Sequence, residues 1–224
     1  MTTVIVGAGP GLGRSLARRF GAEGHTVALV GRTRATLDTL VAELGAEGIR
    51  GQGFVADVTD RAALVAAFDA IKAAFGPVDV LEYSPAPSDP AAIGAVGAVD
   101  LTVESLLPQL DVHLFGAVTA VRQVLPDMIA RDSGTILVST GASSGPVVHP
   151  PFANIAAASG ALRNWTLNLH AALADTGVHV GHVAIALWIG EEGPASEPDA
   201  LAERYWQQHR ERTAAEIVLT AGAA

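Results

Sequence analysis

Val4-Ile5-Val6-Gly7-Ala8-Gly9-Pro10-Gly11-Leu12-Gly13 stands near the start of the chain, and the rest of the sequence is read from it. Three consecutive apolar residues, two of them Val, suit a short strand buried on both faces. Four glycines in the next seven positions then demand a tight turn with little side chain over its backbone. Leu12, Leu16, Ala17 and Phe20 follow at helical spacing. Strand, glycine turn and helix in that order place a row of backbone amides at a helix N-terminus, where the dipole favours an anion such as a pyrophosphate.

The same alternation continues outward. Val27–Val30, Gly53–Ala56, Val78–Leu81, Thr135–Val138 and Val178–Leu187 read as further strands. Between them lie segments with helical periodicity: Leu37, Leu40, Val41 and Leu44; then Ala63, Leu64, Ala67, Phe68 and Ile71; then a long helix from about Val103 to Arg131; then Ala153 to Ala174. In the long helix, Leu107, Leu110, Leu114, Val118, Val121 and Leu125 keep the spacing of one buried stripe. Residues 85–103, rich in Pro, Gly and Ala, read as a loop, and one amphipathic helix and the short apolar run Ile217-Val218-Leu219 close the chain. Strictly alternating strands and helices imply an α/β fold with a doubly wound parallel sheet covered on both faces. With no repeat or linker, residues 1–224 are expected to form a single domain.

Composition narrows the function. The 224 residues are 50% hydrophobic and 17% charged, so a sizeable core is expected and global disorder is not. No cysteine is present, which removes disulfides, thiolate metal sites and a Cys nucleophile. Fourteen basic against 23 acidic residues give a net charge of −9, unsuited to nucleic acid. The histidines His25, His149, His170, His179, His182 and His209 show no metal-ligand spacing on one helix face. The long uncharged stretch from Ser133 to Leu162 is broken by glycines and prolines and cannot be a membrane helix. Met1-Thr2-Thr3 offers no basic leader segment, so a cytoplasmic location is expected.

Gly7, Gly11 and Gly13 form G-x-x-x-G-x-G, which resembles the short-chain dehydrogenase/reductase family. Asp57-Val58 after the third strand, Gly76-Pro77-Val78-Asp79-Val80-Leu81 and Gly134-Thr135-Ile136-Leu137-Val138 extend the resemblance along the chain. It implies a Rossmann-type domain that binds a nicotinamide dinucleotide through Gly7, Gly9, Gly11, Leu12 and Gly13, with Asp57 and Val58 at the adenine and Ser84 after the fourth strand. It also implies a small-molecule substrate and a homodimer or homotetramer. At the end of the second strand, Gly31-Arg32-Thr33-Arg34 holds no carboxylate for a ribose 2′-hydroxyl. A guanidinium there suits a 2′-phosphate, so NADP(H) is expected with Arg32 as its main contact.

The family's proton donor is a Tyr assisted by a Lys four residues later. Here Ile155 and Ser159 occupy those places. The only lysine is Lys72 and the only tyrosines are Tyr83 and Tyr205. His113 stands where the family has an Asn on the long helix, Tyr83-Ser84-Pro85-Ala86 replaces N-N-A-G, and Ile185-Ala186 replaces Pro-Gly. The candidates left for proton handling are His113, an imidazole able to donate near neutral pH; Tyr83 at the end of the fourth strand; and Ser143 as an orienting hydroxyl. Alternatively, an iminium or conjugated C=C acceptor would need no strong acid. Trp188, Tyr205 and Trp206 could line a substrate pocket, with residues 188–224 on that side. Two other classes fit less of the sequence. Gly141-Ala142-Ser143-Ser144-Gly145 matches a hydrolase elbow, but Pro146 follows where a helix should start. A dinucleotide-binding sensor or inactive partner subunit would keep the glycine turn and Arg32 without the chemistry.

Overall fold

The computed structural model describes residues 1–86, 93–145 and 147–221. Seven strands form one sheet in the order β3-β2-β1-β4-β5-β6-β7, every neighbouring pair parallel. They are β1 (Thr2–Val6), β2 (Thr26–Gly31), β3 (Gly51–Val55), β4 (Val80–Tyr83), β5 (Gly134–Gly141), β6 (Val178–Ala186) and β7 (Glu216–Thr220). The chain winds from β1 to β3 in one direction, then returns to the other side of β1 with β4. That reversal opens a crevice at the carboxyl ends of β1 and β4, where open α/β sheets receive ligands.

Helices α1 (Leu12–Ala22), α2 (Arg34–Ala46) and α7 (Pro198–Glu211) cover one face. Helices α3 (Arg61–Phe75), α4 (Val103–Leu110), α5 (Gly116–Ala130) and α6 (Ala153–Ala172) belong to the other. Because side chains alternate along a strand, Val4 and Val6 join Phe68, Ile71, Val121 and Leu162 in one core. Ile5 meets Leu16, Phe20, Leu37 and Tyr205 in the second.

Two expectations change. The run Ile217-Val218-Leu219 is the edge strand β7, paired with β6. The long helix is not uniform: a π-helical turn, Asp111–Phe115, joins α4 to α5. That extra residue rotates the stripe out of phase. Leu107 is exposed, while the sheet is covered by Ala117, Ala120, Val121, Val124 and Met128. Of the loop expected over 85–103, residues 87–92 lie outside the described residues, as does Pro146. Among the described residues, no helix is long and apolar enough to cross a membrane.

Candidate active site

The glycine turn sits at the crevice. Gly7 takes φ +99°, a backbone state that favours glycine, and a Cβ there would lie 2.6 Å from the Pro85 Cα. The amides of Gly7 and Ala8 both donate to the Val30 carbonyl at 3.0 Å, which ties the turn to β2. Gly13 lets α1 pack close, since its Cβ would stand 3.0 Å from the Ala8 Cα. By contrast, a Cβ at Gly11 would meet nothing within 4 Å. Helix α1 starts at Leu12 with no side-chain cap and no acidic residue in its first turn. Of its leading amides, Arg14 donates to the Gly9 carbonyl at 2.9 Å, while those of Leu12 and Gly13 lack intrahelical acceptors. This donor set fits a dinucleotide pyrophosphate.

Arg32, just past the β2 terminus, is exposed and makes no hydrogen bond or ion pair among the described residues. Arg34 is turned away, donating to the Gly53 carbonyl at 3.2 Å. Asp57 follows β3 and accepts from the Thr59 amide and hydroxyl at 2.8 and 2.7 Å. Partial burial opposes its ionisation, but these bonds and the charges of Arg32 and Arg61 outweigh it and hold the carboxyl below its usual range. Val58 is buried, and a Cβ at Gly116 would come within 3.2 Å of it. Ser84 bonds the Val6 carbonyl through its amide and turns its hydroxyl inward to Glu82 at 3.0 Å.

The proton-handling candidates fare differently. Tyr83 is 1% exposed, and its hydroxyl donates to the Val112 carbonyl in the π-helical turn at 2.5 Å. Burial drives its phenol well above the ordinary tyrosine range. The expectation that it gives a proton to a ligand is corrected: Tyr83 braces the helix. His113 lies in that π-helical turn, partly buried and without a hydrogen bond among the described residues. Burial pushes its imidazole down to about 4. It is therefore neutral at pH 7, able to donate or accept a hydrogen bond but not a charged acid, contrary to the expectation. Ser143 is half-buried in a short 3₁₀ turn, Ala142–Ser144, that leaves β5.

Trp188 is 57% exposed beyond β6. Tyr205 and Trp206 are core residues instead. Tyr205 is fully buried with its hydroxyl 2.7 Å from Ser139, and Trp206 packs edge-on against Phe20 beneath the Arg19 guanidinium.

A sequence model of the short chain dehydrogenases matches residues 1–188. The chain belongs to the short chain dehydrogenase family. Sulfoacetaldehyde reductase 2 of Chromohalobacter salexigens is 30% identical over 181 residues, 81% of this chain and 70% of that protein. The NADP-dependent 3-hydroxy acid dehydrogenase YdfG of Salmonella typhi is 30% identical over 192 residues, 86% and 74% of the two chains. Among solved structures, actinorhodin polyketide ketoreductase with NADPH superposes with a TM-score of 0.85 at 24% identity, over 99% of this chain and 96% of that one. A short chain oxidoreductase of Pseudomonas aeruginosa PAO1 containing an atypical catalytic center gives 0.85 at 18% identity, over 100% and 97%.

This short chain dehydrogenase is an NAD(P)-dependent oxidoreductase, and two polar clusters, one buried and one running from the partly exposed Arg163 and Glu216 into the sheet, are not legible in the sequence. Below the glycine turn, Glu82 accepts from Ser84 and from Ser139, which also meets Tyr205. Toward the β7 edge, Arg163, Glu216, His182, Thr140 and Ser144 form a second chain. Helix α6, which carries Ile155 and Ser159, holds neither Tyr nor Lys, and the Ser159 hydroxyl is buried without a partner among the described residues. Lys72 lies on α3, donating to the Gln123 carbonyl. Asn154 instead anchors the start of α6, bonding Val96, Gly94 and Ser105.

Proposed function

We propose that the protein is an NADP(H)-dependent oxidoreductase whose proton-transfer site is not the family's Tyr-x-x-x-Lys pair, acting on a small carbonyl, imine or conjugated C=C substrate. The observation that carries the cofactor choice is Arg32, an exposed guanidinium just past β2 that pairs with nothing among the described residues and has no carboxylate beside it in sequence. A dianionic 2′-phosphate can take paired, charge-assisted hydrogen bonds from it. The amides of Gly9, Gly11, Leu12 and Gly13 would hold the pyrophosphate, and Asp57 and Val58 the adenine. Ser84 acts through its backbone, its hydroxyl being engaged with Glu82.

When bound, the dinucleotide supplies or accepts hydride. The chain's own residues must handle the accompanying proton. His113, neutral in this setting, orients a substrate atom by hydrogen bonding, and Ser143 offers a hydroxyl from the turn after β5. A carbonyl is the favoured acceptor, because the relatives are a sulfoacetaldehyde reductase and a 3-hydroxy acid dehydrogenase. The same reading places the enzyme in the cytoplasm as a homodimer or homotetramer. The exposed Val103, Leu107, Phe115 and Ile129 on the α4–α5 unit are apolar surface for such contacts.

The test is NADPH oxidation followed spectroscopically with a panel of aldehydes, ketones, cyclic imines and enones. Turnover with one class supports the reading. Saturable NADPH binding with no turnover across the panel would instead favour a dinucleotide-binding sensor or partner subunit.

A further inference from the structure

One uninterrupted chain of polar side chains links the solvent-facing edge of the sheet to the turn after β5. Arg163 on α6 grips Glu216 of β7 through two N–H groups at 2.5 and 2.7 Å. The Glu216 side chain, 25% exposed, reaches water and lies 2.8 Å from His182 Nδ1. His182 is wholly buried on β6, and its Nε2 lies 2.8 Å from Thr140 Oγ1 on β5. Thr140 is in turn 2.7 Å from Ser144 Oγ, in the same turn as Ser143. Sheet register builds this chain: His182 pairs with Glu216 on one side and Val138 on the other, and Thr140 stands two residues beyond Val138 on the same face.

Counting protons gives the chain two directions. The Arg163 hydrogen bonds hold Glu216 below its usual range, so it is a carboxylate that accepts a hydrogen bond from His182 Nδ1–H. With a neutral imidazole, Nε2 is bare, and the single Thr140 proton must point to it. With an imidazolium, Nε2–H donates to Thr140, which frees the Thr140 proton for Ser144. That second direction is the one the Thr140–Ser144 geometry suits. Charging His182 therefore turns the chain from accepting to donating at Ser144. The groups facing His182 are Glu216 from β7, Arg163 from α6 and Thr140 from β5. Burial lowers its pKa, with the Arg163 charge acting in the same direction, and this outweighs the raising effect of Glu216.

We propose that Ser144, Thr140, His182 and Glu216 form a proton relay serving the reaction edge of this protein, where neither Tyr nor Lys is available. This rests on the oxidoreductase reading above. In the reductive direction, Ser144 Oγ gives its proton to the substrate oxygen, Thr140 reprotonates Ser144, and His182 Nε2 reprotonates Thr140. The imidazole ends neutral, its Nδ1–H still donating to Glu216, and between turnovers the bare Nε2 is recharged by a proton that enters from solvent at the turn and passes back through Ser144 and Thr140. Each O–H or N–H bond broken is matched by one formed, and no electrons change hands within the relay. The oxidative direction runs the same steps in reverse. Ser144 is the catalytic residue; Thr140, His182 and Glu216 are positioning residues that act through it.

The test uses the full chain with NADPH and butane-2,3-dione as the carbonyl probe, alongside ¹⁵N spectra of the His182 imidazole. Thr140→Val is expected to lower kcat about a hundredfold or more, and Thr140→Ser to restore most of it. Glu216→Gln should shift the His182 titration and the matching limb of the pH–rate profile downward together. Equal rates for Thr140→Val and Thr140→Ser, or a limb that stays while the ¹⁵N titration moves, would overturn the relay. The ¹⁵N arm needs neither cofactor nor substrate: a His182 Nε2 resonance that ignores both Thr140→Val and Ser144→Ala also overturns it. Failure of NADPH to bind the wild-type protein would overturn the oxidoreductase reading instead.

Discussion

The Tyr83 hydroxyl closes onto the Val112 carbonyl at 2.5 Å, so a strand side chain satisfies a backbone acceptor in the π-helical turn that carries His113. Gly116 makes this possible, since a Cβ there would lie 2.2 Å from the Tyr83 oxygen. Gly116→Ala should cost about 1–3 kcal/mol by overpacking. Tyr83→Phe should cost about 1–3 kcal/mol by leaving the Val112 carbonyl without its donor. Together they should cost less than their sum, because the second removes the atom the first collides with. Denaturant unfolding of the two single variants and the double variant measures the coupling. Strict additivity would contradict the packing described.

Glu82 supplies a pH dependence of opposite sign to the usual carboxylate. Burial among apolar strands raises it to about 8, with the Ser84 and Ser139 hydroxyls only partly offsetting this. The folded protein thus keeps a proton that the unfolded chain releases near the ordinary value. Its contribution to stability is complete below about pH 4.5 and is lost as pH rises through about 8. Glu82→Gln, neutral and similar in shape, should flatten the fall in unfolding free energy between about pH 4.5 and 8. An unchanged slope would refute a buried protonated Glu82.

The acid side is set by histidines. Burial pushes His179 and His209 down to about 4 each, and His25 is lowered as well. His25 and His209 are also held by Thr3 and Thr135 at 2.7 and 2.9 Å. Neutral imidazoles in the fold and protonatable ones in the unfolded chain give stability that is present above about pH 6.5 and lost as pH falls toward 4. His179, whose Nε2 is buried without a partner among the described residues, is the cleanest probe. His179→Phe should reduce the acid slope in thermal melts between about pH 6.5 and 4, and an unaltered slope would count against it.

What could be read from the sequence and what could not divide along chain locality. The glycine turn, Arg32 and Asp57 are decided by a few adjacent residues and by their place after a strand, so their positions followed from the pattern. Tyr83 could be placed at the end of β4, but which face it meets depends on strand parity and on Gly116, 33 positions away. His113 looked like an acid because its burial, which sets its charge, comes from elements packed around it. Ser143 drew attention through its motif, while the connected hydroxyl belongs to Ser144. The partners that reveal this, His182 and Glu216, meet only because β6 and β7 pair in register. Trp206 and Tyr205 look like pocket residues until α7 is seen to turn them toward Phe20 and Ser139.

The central claim is that the glycine turn and Arg32 together hold a 2′-phosphorylated dinucleotide. Fluorescence titration of the wild-type protein and Arg32→Ala with NADPH and with NADH tests it most directly. A charge-assisted contact contributes about 1.5–3 kcal/mol, so Arg32→Ala should weaken NADPH about tenfold to a hundredfold and leave NADH nearly unchanged. Equal loss for both dinucleotides, or wild-type affinity that favours NADH, would contradict the account.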